Sequence, residues 1–282
     1  MNSAGELAEP FHFLIIQTGL AHAQPITTNT MKTQHLQTNS HWLGNSHHPA
    51  HRTHPALKSA MELRYQVYCL ECCFLRPDDY PDGSESDEHD DAAEHFFTYD
   101  QDDELVGYVR LVRPNAQERF PFQNHCTTFT DGAQLPAPTR AGEISRLILR
   151  ADYRRLADLP GAADGEFNSR ASRRPRLARA GNRRDEASNV ILSLYRQVYQ
   201  YSRSHGIEYW YAAMERRLAR SMKRLNIAFK EIGPQTDYYG PVVPYLVNLR
   251  EVESHAGARN PTLLAWLQQA ASPSYAMNFE CA

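Results

Sequence analysis

The stretch Gly142-Glu143-Ile144-Ser145-Arg146-Leu147-Ile148-Leu149 decides how this chain is read. It sets a carboxylate and a guanidinium three residues apart, beside an apolar run with the character of a buried strand. Burying either charge alone is costly, so the two serve each other or a ligand. Side chains alternate along a regular strand, so positions 143 and 145 share a face and 146 points the other way. Bringing Glu143 and Arg146 to one side therefore requires a bulge or a strand end here.

Working outward, the pattern alternates between helix and strand. Leu63, Val67 and Leu70 recur at helical spacing and predict a helix over 55–74, ended by Arg76-Pro77. Arg64 and Tyr68 are four residues apart and share a face of it. An acidic loop follows, with the turn signal Pro81-Asp82-Gly83. Strands are expected at 94–99 and 105–112, joined by a tight turn, then a connection over 115–140 and the strand 143–149. A helix over 186–204 puts Ile191, Leu194, Val198 and Tyr201 on one face. A strand at 207–214, a helix at 215–225, strands at 228–232 and 245–249, and a helix at 261–269 complete the order. This succession predicts a mixed α/β sheet rather than a doubly wound one.

Composition bounds the function. The 282 residues are 41% hydrophobic and carry a net charge of −3, so the whole chain is not a polycation seeking nucleic acid. The charge is uneven. From Asp78 to Glu104 there is no Lys or Arg, and from Asn168 to Arg184 there are seven Arg and no acid. Five cysteines make no disulfide framework in a chain this long, and no second ligand pair matches Cys69, Cys72 and Cys73, so no metal site is expected. No Gly-x-Gly-x-x-Gly or phosphate-cradling Lys motif is present, which leaves dinucleotide redox chemistry and nucleotide hydrolysis without support.

Residues 1–55 differ from the rest. They are polar and rich in His and Thr, and read as a disordered leader. His47, His48, His51 and His54 read as solvated, with metal binding as the alternative. The apolar patch Phe11 to Leu20 is too short to span a bilayer, so no transmembrane segment is expected and a cytoplasmic location fits. The main domain is placed at 56–270, with an Arg-rich insertion at 152–184 and a tail at 271–282.

Several pieces, in order, resemble a known family. They are Arg64-Tyr65-Gln66-Val67-Tyr68-Cys69, the Phe74 to Gly83 segment, Glu85, Asp87 and Asp90 followed by His95, Gly107-Tyr108-Val109-Arg110, and Glu143-x-Ser145-Arg146. Tyr153-Arg154-Arg155, Tyr209-Trp210-Tyr211-Ala212, Met214-Glu215 and Ile232-Gly233-Pro234 continue the series. Together they resemble the acyltransferases associated with the PEP-CTERM/exosortase system, which are similar to the acyl-homoserine-lactone synthases and are GNAT-like N-acyltransferases. One family Arg is replaced by Val242, and the glycines that let backbone approach a pyrophosphate are missing after Leu149.

The resemblance implies a GNAT-like mixed sheet with splayed central strands flanked by helices. It implies transfer of a long-chain acyl group from a thioester, on acyl carrier protein or coenzyme A, to the amine of an amino acid or related metabolite. No bound cofactor is implied. Glu143 would act as general base, with Arg110 and Arg146 orienting it or gripping a substrate carboxylate. Arg64, Tyr68, Asp87, Asp90 and Ser145 would contact the substrate. Arg154, Arg155, Arg173, Arg174 and Arg176 would dock an acidic carrier protein, the favoured donor. The bland alternatives are an ion pair of Glu143 with Arg146 or Arg110, and a solvated Arg-rich loop. A non-catalytic scaffold and a quorum-signal synthase are the rival functions.

Overall fold

In a computed structural model, the chain is described over residues 32–36, 55–100, 102–114, 119–153 and 180–269. A sheet is built in the order β1 (Lys32–Leu36), β2 (Ala93–Tyr99), β3 (Leu105–Val112), β4 (Ala141–Leu149), β5 (Tyr209–Met214), β8 (Pro241–Asn248) and β6 (Lys230–Glu231), with β7 (Thr236–Asp237) pairing β8. All neighbours are antiparallel except β4 and β5. A parallel pair needs a crossover, and the helix α2 (Ala180–Ser204) lies within it. This is the expected mixed sheet flanked by helices.

Both faces of the central strands are covered, and β2, β3 and β4 send apolar residues to each side. Alternation sends Phe96, Val109, Leu111 and Ile144 to one face, where Leu194 and Val198 of α2 meet them. The intervening Phe97, Tyr108 and Ile148 go to the other face, against Leu57 and Val67. Gly107 is needed for the first of these contacts, since a Cβ there would stand 2.5 Å from Val190 Cγ1. The helix expected over 55–74 is α1 (Pro55–Tyr65), continued as a π-helical turn over Gln66–Glu71. That wider turn closes with Phe74 N–H donating to the Tyr68 carbonyl at 2.8 Å, which brings both aromatic rings to one side.

Three expectations change. The leader expected to be disordered contributes a strand, because Lys32–Leu36 pairs with β2 from Lys32·Tyr99 to Leu36·His95. The helix expected from 186 begins at Ala180, inside the span given to the Arg-rich insertion, while 154–179 lies outside the described residues. The last strand ends at Asn248, which caps α4 (Leu249–Arg259) by accepting a hydrogen bond from Arg250 N–H at 2.9 Å. Helices α3 (Arg216–Arg224) and α5 (Pro261–Gln268) stand where expected. Among the described residues, no helix is long and apolar enough to cross a membrane.

Candidate active site

The ladder between β4 and β5 is short. It runs through Ala141·Tyr209, Gly142·Trp210 and Glu143·Tyr211, and goes no further, although β4 continues to Leu149 and β5 to Met214. The strands part beyond Glu143, as the splayed-strand expectation required. A cleft of about 130 Å³ opens in the gap. Its lining has two characters. Ile144, Leu147, Tyr195, Met214 and Leu218 line it from the α2 side. Tyr68, Glu143, Ser145, Arg146, Tyr238 and Tyr239 line it from the α1 side.

The bulge that the spacing demanded is present. Tyr108 faces Ile148 and Arg110 faces Ser145, so two steps along β3 match three along β4. Arg146 takes up the extra residue with φ +54, the left-handed region, which is uncommon for a non-glycine residue. Glu143, Ser145 and Arg146 therefore serve one face.

Arg146 does not meet Glu143. It joins a buried network of three guanidiniums, Arg64, Arg110 and Arg146, and three carboxylates, Glu85, Asp87 and Asp90. Arg64 contacts Glu85 and, at 2.6 Å, Asp90. Arg110 reaches Asp87 at 2.6 and 3.0 Å and Asp90 at 2.6 Å, while its Nε donates to Ser145 Oγ at 3.1 Å. Arg146 Nη2 donates to Asp87 at 2.9 Å and Glu85 at 3.2 Å. The charges balance, as burial demands. Burial works against the ionised Asp90 and Asp87, but Arg64 and Arg110 beside Asp90, and Arg110 beside Asp87, outweigh it and hold both below the usual carboxylate range. Beneath them His95 Nε2 donates to the Asp90 carbonyl at 3.0 Å, so its Nδ1 accepts from Tyr108 Oη at 2.7 Å. Burial lowers this imidazole to about 4, and it is neutral.

The expected site residues divide between the network and the cleft. Arg64, at 0% exposure, and Asp90, at 3%, do not line the cleft, and neither does Arg110. They are held in the network. Asp87 is close to them and 17% exposed at its side chain. Tyr68, Ser145 and Arg146 do line the cleft. The Arg146 guanidinium lies 5.2 Å from the Tyr68 ring centroid and 5.8 Å from that of Tyr239, both distances at which a cation is attracted to a ring face. Its Nε is buried without a hydrogen-bond partner. Arg154, Arg155, Arg173, Arg174 and Arg176 lie outside the described residues.

Glu143 stands apart from the network at the apex of the parting strands. It is 2% exposed and accepts a hydrogen bond from Phe122 N–H at 2.9 Å. Phe120, Phe122 and Tyr211 pack into an aromatic cluster beside it. Burial pushes its carboxyl up to about 8, against the pull of the Phe122 N–H and the more distant Arg110 and Arg146. Neither of the ion pairs proposed for it forms. Glu85, Phe122 and Tyr239 were not singled out as site residues. Glu85 was legible in the acidic run, but Phe122 and Tyr239 come from turns far away in sequence.

Residues 63–160 match the family described as the acetyltransferase (GNAT) domain. The fold is GNAT-like. The match begins within α1 and takes in the whole charge network and β4. No curated protein matches the sequence. Among solved structures, the CoA-dependent acyl-homoserine lactone synthase BjaI, with SAM and isopentyl-CoA, is 15% identical over 81% of this chain and 89% of its own, with a TM-score of 0.51. TofI, in a ternary complex with an inhibitor and MTA, is 14% identical over 82% of this chain and 99% of its own, with a TM-score of 0.53. At these identities the likeness is one of fold.

Proposed function

We propose that this protein is an N-acyltransferase of the acyl-homoserine-lactone-synthase type, moving an acyl group from a thioester to the amine of a small amino-acid-like acceptor. The observation that carries this reading is the two-sided cleft where β4 and β5 part, with Glu143 at its apex. Its apolar half suits an acyl chain. Its polar and aromatic half suits an amine-bearing head.

The chemistry follows from that division. The acceptor nitrogen attacks the thioester carbon, a C–N bond forms, and the C–S bond breaks. The amine must lose a proton first, and Glu143 is the carboxylate at the apex. Alone in its apolar surroundings Glu143 keeps its own proton at neutral pH. An acceptor arriving as an ammonium ion favours the carboxylate, and the proton Glu143 held passes to solvent. The carboxylate then takes one amine proton, gives it to the leaving thiolate, and takes the second as the tetrahedral adduct collapses to the amide. This returns Glu143 to its protonated form. Arg146, steadied by Glu85, Asp87 and Tyr68, offers its spare Nε–H to a carboxylate or carbonyl oxygen. Arg64, Arg110, Asp90 and His95 are positioning residues behind it.

A coenzyme A thioester is the donor we favour over acyl carrier protein, because one fold neighbour is described as CoA-dependent and holds isopentyl-CoA. The same neighbour makes S-adenosylmethionine the first acceptor to test. The gap between the strands is open, which supports turnover over a scaffold. The exosortase link rests on the sequence motifs, and the proposal does not depend on it.

The test is mass spectrometry of lipid extracts from cells overproducing the chain, beside a Glu143→Gln control. An N-acylated metabolite present with the wild type and absent with the control supports the reading. Equal extracts, with no thiol release from acyl-CoA in vitro, overturn it.

A further inference from the structure

Strand β8 leaves its ladder with β5 at Val243, so the hairpin it makes with β7 overhangs the sheet. Two residue pairs form that hairpin, Thr236·Val242 and Asp237·Pro241, and its tip, Tyr238-Tyr239-Gly240, lines the cleft. The base of the hairpin is fixed. Thr130 N–H donates to the Ile232 carbonyl at 2.8 Å, and a Cβ on Gly233 would stand 2.5 Å from the Thr128 carbonyl oxygen, so the loop after β3 packs against this chain with no room for a side chain. The tip is held more lightly. Tyr238 N–H donates to the Gly240 carbonyl at 2.9 Å and Gly240 N–H to Asp237 Oδ1 at 3.1 Å, both within the hairpin. Beyond it, the Tyr238 ring stacks on the exposed His125, with centroids 3.9 Å apart and planes 11° from parallel. The Tyr239 ring lies 6.4 Å from that of Phe74 and 5.8 Å from the Arg146 guanidinium.

Tyr239 is the odd residue of the tip. It is 38% exposed and has φ +54, so neither burial nor backbone preference favours a tyrosine there, and glycine or asparagine would make the turn at less cost. A ring at this point is explained if it covers what lies beneath, which is Arg146 with its unpartnered Nε. We propose that the tip Tyr238-Tyr239-Gly240 is a strap over the polar half of the cleft, and that His125 is its latch, a positioning residue acting through Tyr238. The strap pivots beyond Gly233, at the exposed Pro234 and Gln235. Opening breaks the His125 stack and gives an acceptor access to Arg146 and Glu143. Closing shuts water out of the half where the amine attacks. The acyl chain lies on the other side and does not pass the strap. His125 follows Phe122 by three residues, and the Phe122 N–H holds Glu143, so latch and base are tied to one turn. Naming the acceptor as what passes the strap rests on the acyltransferase reading.

Chemical labelling tests the strap without requiring turnover. Phenylglyoxal modifies accessible guanidiniums, and its rate at Arg146, read by peptide mass spectrometry, is compared in the wild type, His125→Ala and His125→Phe. Losing an aromatic pair shifts an equilibrium by about two- to tenfold, so His125→Ala should speed labelling of Arg146 by that factor. His125→Phe still stacks and should return the rate to that of the wild type. Arg64 and Arg110, buried in the same network but outside the cleft, should stay protected in all three proteins. An unchanged Arg146 rate in His125→Ala overturns the inference. So does a rise that His125→Phe shares, or one accompanied by labelling of Arg64 and Arg110, since the network itself has then loosened. Labelling as expected in a protein that releases no thiol from octanoyl-CoA upholds the strap and counts against the acyltransferase reading, so the two fail separately.

Discussion

The backbone N–H of Phe122 holds Glu143 Oε2 at 2.9 Å, and this is the hydrogen bond that fixes the carboxyl at the apex of the cleft. The bond reaches across 21 residues, from the turn Pro121–Asn124 to β4. It ties the loop after β3 to the point where the strands part. The same loop brings the apolar rings that exclude water from Glu143. One element thus both orients the group and sets its proton affinity.

That affinity should be visible in stability. Glu143 has a folded-state pKa of about 8, above the 4.5 of a free glutamate, so the folded protein binds the extra proton between those values. Its contribution is full at low pH and is lost as pH rises toward 8. His95 acts oppositely: lowered to about 4 from 6.5, it makes stability rise with pH between those values. The two offset each other below about 6.5, and Glu143 acts alone above it. Urea melts from pH 6.5 to 8.5 should show wild-type stability falling by on the order of 1–2 kcal/mol. Glu143→Gln should remove most of that slope. An unchanged slope in the variant would show that Glu143 is ionised in the empty cleft.

The charge network makes a second prediction. Arg64→Met leaves Glu85 buried, with Asp90 keeping Arg110 as a partner. Breaking a buried ion pair from one side costs about 3–5 kcal/mol. Denaturant unfolding of the single variant should show a loss in that range. Adding Glu85→Leu should recover part of it, since two guanidiniums then face two carboxylates and the buried charge balances again. A loss below about 1 kcal/mol in Arg64→Met would mean that water reaches the network.

The sheet was largely legible because its strands have a clear period and its turns carry Asp, Gly and Pro. Arg64, Asp87, Asp90, Arg110 and Arg146 stood out for the same reason: charges beside apolar runs imply partners. Their pairing was not legible. It depends on one bulge at Arg146, which turns two neighbouring side chains to the same face and gives Arg146 to Glu85 and Asp87 instead of Glu143. The helix α4 was missed, although Asn248 followed three residues later by Glu251 is a helix-start signal. The apolar run 245–249 masked it.

The strand β1 makes a third prediction. Lys32–Leu36 pairs along β2, so removing residues 1–50 uncovers that edge of β2. Hydrogen exchange of a chain beginning at residue 51 should be faster at those Ala93–Tyr99 amides that β1 covers, and unchanged in β5. Equal exchange in both chains would show that the strand contributes no protection.

The helix α3 makes the last. Arg217, Arg220 and Lys223 are exposed on it, while Leu218 of the same helix lines the cleft. The helix that lines the acyl half thus also carries a cationic surface. Coenzyme A brings phosphates with the acyl chain, and exposed charges attract them over about 8 Å at physiological salt. Reversing all three residues to Glu should raise KM for an acyl-CoA about tenfold or more and flatten its salt dependence. An acyl-N-acetylcysteamine thioester carries no phosphate, and its kcat/KM should stay within about twofold. The two substrates separate charge attraction from damage to the cleft, because a distorted cleft slows both. If the reversal leaves the acyl-CoA KM unchanged, donor phosphates do not use this face.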